Sequence, residues 1–296
     1  MEPTSSPVTI WTPIKINLTL QILGKRKDGY HNLQSLVVFA EEGDSLSVEI
    51  SRKFQLCIFG PYSQQLKEEK NNLVFRAYKL FKSSLPLSQQ NARFSLYKNL
   101  PIASGLGGGS GNAAAALMLL NQLYHAPLSA KELLKLSAGL GADVPACLAY
   151  LLYKKPLYMN GIGEKITLIK SFPALSAVLV NNGAALITKK IFSALNIPPN
   201  AVTAKEKLEF ENSAQVLDLL RHSGNDLYPA ALQHAPQLAN IIQNLNQKGA
   251  LFSGMSGSGA TCFGLFSTFT EARRIAQQLK EQHPHYWLKA VELQGA

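Results

Sequence analysis

The most informative segment of the chain is Pro101-Ile102-Ala103-Ser104-Gly105-Leu106-Gly107-Gly108-Gly109-Ser110-Gly111-Asn112, which is followed by an apolar stretch at residues 113–120. We call residues 101–112 the first glycine segment. Ordering five glycines costs backbone entropy, so their density indicates a need for positive φ or for close approach to the backbone. N–H groups that point into the start of a helix, aided by the helix dipole, bind anions. A flexible connector is the alternative, but the apolar stretch favours a phosphate loop at residues 105–112 that leads into a helix from about 112 to 124.

Two common phosphate motifs do not fit this segment. A Walker A loop requires a Lys after its glycines, and none follows here. Gly109-x-Gly111-x-x-Ala114 fits a relaxed dinucleotide fingerprint, which should open a strand–helix–strand unit. The next segment begins instead with the capping box Ser129-Ala130-Lys131-Glu132, which predicts another helix. The sequence therefore indicates a phosphate loop of a different kind.

Residues 101–115 resemble the phosphate loop of the GHMP kinases, and two further segments agree in the expected order. Residues 13–18 (PIKINL) followed by 27–31 (KDGYH) resemble the N-terminal motif of the family. Residues 254–263 (GMSGSGATCF) resemble its C-terminal glycine motif, and we call residues 254–259 the second glycine segment. The chain departs from the family pattern at Ile14, usually Ala, and at Gly111, usually a second Ser, which removes one hydroxyl from a possible contact with phosphate or Mg²⁺.

The fold class is expected to be α+β. Strand patterns dominate the first hundred residues, and helices mixed with strands follow. Residues 14–23 are expected to form one strand, and residues 45–50 alternate between polar and apolar side chains, which predicts another. A chain of 296 residues is also long for one hydrophobic core. The resemblance implies a two-lobed GHMP kinase fold, with a ribosomal S5 domain 2-like lobe at residues 1–163 and a ferredoxin-like lobe at residues 164–296. It also implies an active site between the lobes.

The resemblance implies a kinase that uses ATP and Mg²⁺. The expected substrate is cytidine diphospho-methylerythritol, phosphorylated on its 2-hydroxyl in the methylerythritol phosphate route to isoprenoids. The metal ligands are not assigned. The residues expected to hold the ATP phosphates all lie in the first glycine segment: Pro101, Gly105, Leu106, Gly107, Gly108, Gly109, Ser110, Gly111 and Asn112.

Phosphoryl transfer needs a group that accepts the proton of the attacking hydroxyl. Asp143, in Gly141-Ala142-Asp143-Val144-Pro145, is a candidate for that base and also for a helix N-cap, and the two roles are compatible. Lys15 lies in an apolar segment, either facing solvent from an edge strand or buried near Asp143, where it would keep the carboxylate ionised. The resemblance implies that Asp143 and Lys15 are the catalytic pair.

The substrate site is implied by motif residues on both sides of the first glycine segment. An Asp28-Gly29 turn precedes Tyr30 and His31, and the resemblance implies that His31 binds the cytosine edge while Tyr30 shapes the pocket. Phe192 alone predicts core packing, whereas the resemblance implies stacking on cytosine. The remaining expected substrate contacts are Asn17, Thr188, Gly257, Ser258 and Gly259. Asn225-Asp226 is expected to be structural.

The net charge of the chain helps to predict which class of ligand it binds. The balance is 29 − 19 = +10, with 16% charged residues and a pI near 9.4, so the excess of base comes from scarce acids. The basic residues form scattered pairs rather than blocks, and no nucleic-acid motif accompanies them. This pattern favours small anionic ligands over nucleic acid and leaves an RNA-binding protein as one alternative. The others are a kinase for homoserine or mevalonate, disfavoured by the residue 28–31 motif, and a non-enzymatic sensor, disfavoured by Lys15 and Asp143.

Several other classes are disfavoured. No apolar run approaches the roughly 20 residues of a membrane span, and residues 1–6 show no basic region before an apolar one. The cysteines Cys57, Cys147 and Cys262 are too far apart for a CxxC pair, and the six histidines form no HExxH motif. We expect reduced thiols in a cytoplasmic enzyme with no membrane or nucleic-acid partner. A monomer or a weak dimer is expected, with the choice left open.

Overall fold

The computed structural model describes residues 8–66, 72–84, 91–125, 128–195 and 206–295. The interpretation of residues 1–6 lies outside these described residues. The strands are β1 (Val8–Trp11), β2 (Ile14–Asn17), β3 (Gln21–Lys25), β4 (His31–Ala40), β5 (Ser45–Ser51), β6 (Gln55–Phe59), β7 (Asn91–Tyr97), β8 (Leu157–Gly161), β9 (Lys165–Leu168), β10 (Leu175–Asn181), β11 (Phe252–Met255), β12 (Cys262–Phe266) and β13 (Trp287–Leu293).

The helices lie between groups of these strands. They are α1 (Ser63–Leu66), α2 (Leu73–Ser84), α3 (Gly108–Leu123), α4 (Ala130–Ser137), α5 (Val144–Tyr153), α6 (Thr188–Ser193), α7 (Ser213–Ser223), α8 (Tyr228–His234), α9 (Gln237–Gln247) and α10 (Phe269–Gln282). The predicted capping box of α4 is confirmed, since Ser129 and Glu132 exchange side-chain and backbone hydrogen bonds at its start.

The chain forms two compact units that interleave along the sequence. Unit 1 comprises residues 1–14, 41–102 and 107–153, and unit 2 comprises residues 15–40, 103–106 and 154–296. Residues 15–40 belong to unit 2 because β4 pairs with β8, in a register that places Leu33 opposite Gly161. The lobe boundary between residues 163 and 164 stays a prediction, and the contact-defined units do not follow a single cut.

Unit 1 is a four-stranded sheet covered by helices. The strand order is β1-β5-β7-β6, with β6 and β7 parallel and the other pairs antiparallel. Alternate residues of the central strands are buried, including Leu46 on β5 and Phe94 and Leu96 on β7. Helix α3 packs against β5 and against α2 and α5. Because residues 113–116 are four buried alanines, their short side chains allow close packing in this core.

Unit 2 contains two sheets. One has the order β2-β4-β8-β9, with β3 paired to β4, and the other has the order β11-β12-β10-β13. The predicted Asp28-Gly29 turn is confirmed between β3 and β4, where Gly29 has a φ of 86° and the Arg26 N–H donates to the Tyr30 carbonyl at 2.7 Å. Residues 14–23, expected as one strand, form β2 and β3 with a break between them.

The cysteines differ in burial, and the helices are limited in length and hydrophobicity. Cys57, Cys147 and Cys262 form no disulfide, and the last two are buried. Burial raises the pKa of the Cys262 thiol to about 12, which makes it a packing residue rather than a nucleophile. Among the described residues, every helix is too short or too polar to cross a membrane.

Candidate active site

The first glycine segment forms the start of α3, which begins four residues earlier than predicted. Gly107 is the N-cap, with a left-handed φ of 66° that favours glycine. The Gly111 N–H donates to the Gly107 carbonyl at 2.7 Å and closes the first turn. The N–H groups of a first turn have no acceptor within their own helix, and this turn carries no acidic side chain. It is therefore suited to an anion.

Gly111 is buried in unit 1, where the GHMP pattern usually has Ser. A Cβ at this position would lie 3.3 Å from the Thr12 Cβ and 3.4 Å from the Pro13 carbonyl oxygen. The first distance is tighter than ordinary van der Waals contact, and the second is at its lower limit. A side chain at position 111 would thus press against Thr12 and Pro13, which favours glycine at this position of unit 1.

The two glycine segments meet in unit 2. A Cβ on Gly105 would lie 2.6 Å from the Ser256 carbonyl oxygen and 2.8 Å from that of Gly259, so a side chain does not fit there. The Ser256 hydroxyl donates to the Gly105 carbonyl at 3.0 Å, and the Thr261 N–H donates to the Ser104 carbonyl at 3.1 Å. The second glycine segment, which joins β11 to β12, therefore holds residues 104–105 in place.

Strand β2 adds two polar residues to this meeting point. Lys15 and Asn17 are each 3% exposed, so Lys15 does not face solvent. The Lys15 N–H donates to the Leu106 carbonyl at 3.0 Å, and its Nζ donates to Asn17 Oδ1 at 3.0 Å. The Asn17 N–H donates to Ser256 Oγ at 3.1 Å. The structure thus gathers Lys15, Asn17 and parts of both glycine segments within unit 2.

The Asn225 side chain holds the second glycine segment in place through hydrogen bonds to its backbone. Its Nδ2 donates to the carbonyls of Met255 at 2.7 Å and Gly257 at 2.8 Å. Its Oδ1 accepts the Leu227 N–H at 2.9 Å. These hydrogen bonds hold Asn225 to the backbone of residues 227, 255 and 257, and its purely structural role stays a prediction.

His31 and Phe192 lie together, although 161 positions separate them in the chain. Their ring centroids are 5.4 Å apart, with the planes inclined by 31°. Partial burial lowers the pKa of His31, and the nearby Lys25 lowers it further, so the imidazole is neutral at pH 7. A neutral imidazole offers one donor and one acceptor. The pair combines an aromatic face with hydrogen-bonding atoms.

The other predicted substrate residues are distributed around this pair. Tyr30 is 60% exposed at the end of the turn before His31. Thr188, the first residue of α6, has its Oγ1 2.9 Å from the Ser258 Oγ. This contact links the helix that carries Phe192 to the second glycine segment, which also contains Gly257 and Gly259.

Asp143 directly precedes α5 in unit 1. It is half-buried, and its carbonyl accepts the Cys147 N–H at 3.2 Å. This is the position of a helix N-cap, as one of the two interpretations expected. The pairing of Asp143 with Lys15 stays a prediction.

Asp44 and Lys98 form a buried ion pair in unit 1 that was not predicted from the sequence. The Lys98 Nζ and the Asp44 Oδ2 are 2.6 Å apart, and the two side chains are 4% and 0% exposed. One feature of the sequence could have indicated the importance of Lys98: it is a charged residue at the end of an alternating strand, three positions before Pro101.

Comparison with known proteins agrees with this arrangement. Residues 72–149 match the GHMP kinases N terminal domain, and residues 204–285 match the GHMP kinases C terminal domain. A 4-diphosphocytidyl-2-C-methyl-D-erythritol kinase of Bartonella bacilliformis is 41% identical over 285 residues, covering 95% of this chain and 93% of the relative. The chain belongs to the GHMP kinase family. A second kinase of the same name, from Parvibaculum lavamentivorans, is 41% identical over 98% of this chain and 100% of the relative.

Solved structures of GHMP kinases have the same fold. A crystal structure of 4-(cytidine 5'-diphospho)-2C-methyl-D-erythritol kinase matches with a TM-score of 0.76 and 29% identity over 98% of this chain and 100% of that one. A homoserine kinase from Cytophaga hutchinsonii matches with a TM-score of 0.69 at 18% identity, over 100% of this chain and 96% of that one, which shows the fold alone. The α+β GHMP kinase fold predicted from the sequence is confirmed, and the protein is an ATP-dependent kinase.

Proposed function

We propose that this GHMP kinase transfers the γ-phosphoryl group of ATP to the 2-hydroxyl of 4-diphosphocytidyl-2-C-methyl-D-erythritol, in the methylerythritol phosphate pathway. The observation that carries the proposal is the contact between His31 and Phe192 in a chain whose relatives have that kinase name. A cytosine ring presents one flat π face and one hydrogen-bonding edge. Phe192 supplies a ring for the face, and neutral His31 supplies a donor and an acceptor for the edge.

The ATP phosphates are assigned to the first turn of α3. Its N–H groups and the positive end of the helix dipole attract the β- and γ-phosphates, and Gly107 leaves the backbone open to them. Gly108, Gly109 and Ser110 occupy this turn, and Gly105 and Leu106 lead into it. Lys15 is buried in unit 2, and its backbone N–H donates to the Leu106 carbonyl. We assign its ammonium to the negative charge that develops during phosphoryl transfer.

Asp143 is proposed as the base. Its carboxylate accepts the proton of the 2-hydroxyl as that oxygen bonds to the γ-phosphorus. The bond from the γ-phosphorus to its bridging oxygen then breaks, and ADP leaves with that electron pair. Lys15 is proposed to keep Asp143 ionised during this step.

Magnesium is proposed to arrive with the nucleotide. Among the described residues, three or more His, Cys, Asp or Glu side chains do not gather in any one place. Mg²⁺ bound through substrate phosphates, waters and one or two side-chain oxygens needs no such cluster. The Ser110 hydroxyl is of the right chemical type, and the ion would neutralise charge on the phosphates.

Both ligands are small anions, which suits the net charge of +10. We therefore propose a cytoplasmic enzyme with small-molecule ligands and no nucleic-acid or membrane partner. A monomer or a weak dimer remains our expectation, and sedimentation at several concentrations separates the two.

The test of this function is ADP release in a coupled assay. The purified chain receives MgATP with the cytidine diphospho-alcohol, with homoserine, with mevalonate or with no acceptor. We expect rapid ADP release with the cytidine compound alone. Turnover of homoserine or mevalonate at the same rate would show that the substrate is wrong, and a folded protein inactive with every acceptor would indicate a sensor.

Truncation of Phe192 to Ala tests the cytosine site. Base–aromatic stacking contributes about 1–3 kcal/mol per base, so the KM for the cytidine substrate should rise about tenfold while the KM for ATP stays within twofold. Initial rates with each substrate varied in turn measure both constants.

Tyr286→Ala is the matched control, because Tyr286 also pairs with a histidine in unit 2. Its ring centroid lies 4.7 Å from that of His283, with the planes 12° apart. Neither KM should change in this variant. An equal rise of both KM values in Phe192→Ala would contradict the assignment to cytosine.

A further inference from the structure

A buried polar network lies under the first turn of α3. Its centre is the Asp44 carboxylate, which is completely buried. Asp44 Oδ2 accepts hydrogen bonds from Lys98 Nζ at 2.6 Å and from Asn112 Nδ2 at 3.0 Å. Its Oδ1 accepts the backbone N–H groups of Asn99 at 2.7 Å and Leu100 at 2.8 Å. A carboxylate has about four lone-pair positions, so Asp44 is fully occupied by protein donors.

This single carboxylate joins three segments of unit 1. Asp44 precedes β5, Lys98 and Leu100 follow β7, and Asn112 belongs to α3. The segment before β2 is tied in as well, since the Thr12 N–H donates to the Asp44 carbonyl at 2.8 Å and the Asp44 N–H donates to Thr12 Oγ1 at 3.0 Å. The network therefore sets where α3 begins relative to the sheet.

The ion pair comes close to the glycine backbone itself. A Cβ on Gly108 would lie 3.1 Å from Lys98 Nζ and 3.6 Å from Asp44 Oδ2. Gly108 thus allows the first residue of the helix to rest on the ion pair. A displacement of either charged group would move this turn.

Asn112 belongs to the interior of unit 1. It is 3% exposed, and its amide nitrogen donates to Asp44. Among the described residues, its Oδ1 has no hydrogen-bond partner. Its amide nitrogen therefore ties the side chain to the carboxylate beneath the helix.

The network is costly to bury, so stability alone does not account for it. Burial lowers the pKa of Lys98, and Asp44 acts in the opposite direction. Buried ion pairs are often replaceable by apolar side chains without loss of stability, and they are retained in some proteins for conformational specificity.

We propose that Asp44, Lys98 and Asn112 are positioning residues that fix the first turn of α3 so that its N–H groups meet the ATP phosphates. Asn112, expected from the sequence to bind the nucleotide, acts through the backbone and touches no phosphate. The inference rests on the proposed phosphate site at this turn.

The first test compares two asparagines of the same helix. Asn112→Ala removes the amide from Asp44, whereas Asn121→Ala removes a side chain that bonds the Leu128 carbonyl at 3.1 Å and the Leu128 N–H at 3.3 Å. We expect Asn112→Ala to weaken ADP binding and raise the KM for ATP about tenfold, with the KM for the acceptor within twofold. Asn121→Ala should lower the melting temperature and change neither constant. Calorimetric titration with ADP measures affinity independently of turnover.

The second test removes the charges together. Asp44→Asn alone leaves a buried lysine without its partner, so the double variant Asp44→Asn/Lys98→Met is used. We expect the double variant to weaken ADP binding about as much as Asn112→Ala does. The triple variant, which combines all three substitutions, should bind ADP no more weakly than whichever of its two parents binds ADP more weakly. Full additivity, or a double variant that binds ADP as the wild type does while Asn112→Ala does not, would show that Asn112 contacts the nucleotide directly.

These outcomes separate the inference from the proposed function. A wild-type chain that fails to bind ADP overturns the phosphate site and, with it, the inference. A wild-type chain that binds ADP, together with an Asn112→Ala variant that binds it equally well, overturns the positioning role and leaves the proposed function intact.

Discussion

Replacement of Asp143 by Asn is expected to lower kcat about 1,000-fold, because general-base catalysis contributes about 10²- to 10⁴-fold and an amide cannot accept the hydroxyl proton. Asn is chosen because Asp143 also precedes α5 at the N-cap position. Asn caps a helix about as well as Asp does, so the start of α5 and the free energy of unfolding should be preserved. The variant therefore isolates the chemical role from the structural one.

Initial rates of ADP release, with each substrate varied in turn, measure this effect, and both KM values should stay within a few fold. Asp218→Asn is the control, since Asp218 lies on α7 with a side chain 73% exposed, and its rates should equal those of the wild type. A folded Asp143→Asn enzyme with undiminished kcat would show that Asp143 is not the base and only precedes α5 at the N-cap position.

Local signals in the sequence predicted much of the fold. The capping box of Ser129 and Glu132 located α4, and the alternation at residues 45–50 located β5. Strands β1, β6, β8 and β9 were not predicted. They are four or five residues long and depend on partners elsewhere in the chain. β6, for example, pairs in parallel with β7 from more than thirty positions away, and such pairing leaves no local periodicity.

The first glycine segment shows how tertiary contacts override local propensity. Glycine is a poor helix former, so residues 108–111 were predicted as loop, yet α3 includes them. Neighbouring residues limit the size of the side chain at two of these positions. Lys98 sets this limit at Gly108, and Thr12 and Pro13 set it at Gly111. Neither limit is visible in the segment itself.

For a similar reason, the sequence predicted some residues of the candidate site and not others. Lys15, Asn17 and the two glycine segments belong to recognisable motifs, and within unit 2 the structure brings Lys15 and Asn17 together with Gly105 and Ser256. Asp44 lies 54 positions from Lys98 and 68 from Asn112. A single sequence does not reveal that such distant polar residues share one buried network.

Substitution of Gly109 by Asp is expected to stabilise the protein and to abolish nucleotide binding at the same time. Gly109 is exposed in the first turn of α3, and a Cβ there meets only the Leu73 Cδ1, at 3.4 Å. An acidic side chain near a helix N-terminus stabilises the helix by about 0.3–1 kcal/mol. The same charge opposes a phosphate by about 4 kcal/mol at a separation of 4 Å and an effective dielectric constant of 20. The melting temperature should therefore rise while ADP affinity falls at least about a hundredfold.

Gly109→Asn supplies the matched control, because it has the shape of Asp without the charge and should weaken ADP binding by less than tenfold. Calorimetric titration and thermal unfolding of both variants make the comparison. Because added salt screens exposed charges, the difference in ADP affinity between Asp and Asn should shrink as ionic strength rises. If the two variants bound ADP equally well, the phosphates would lie away from this turn. The anion site would then have to be sought at the backbone N–H groups of the second glycine segment instead.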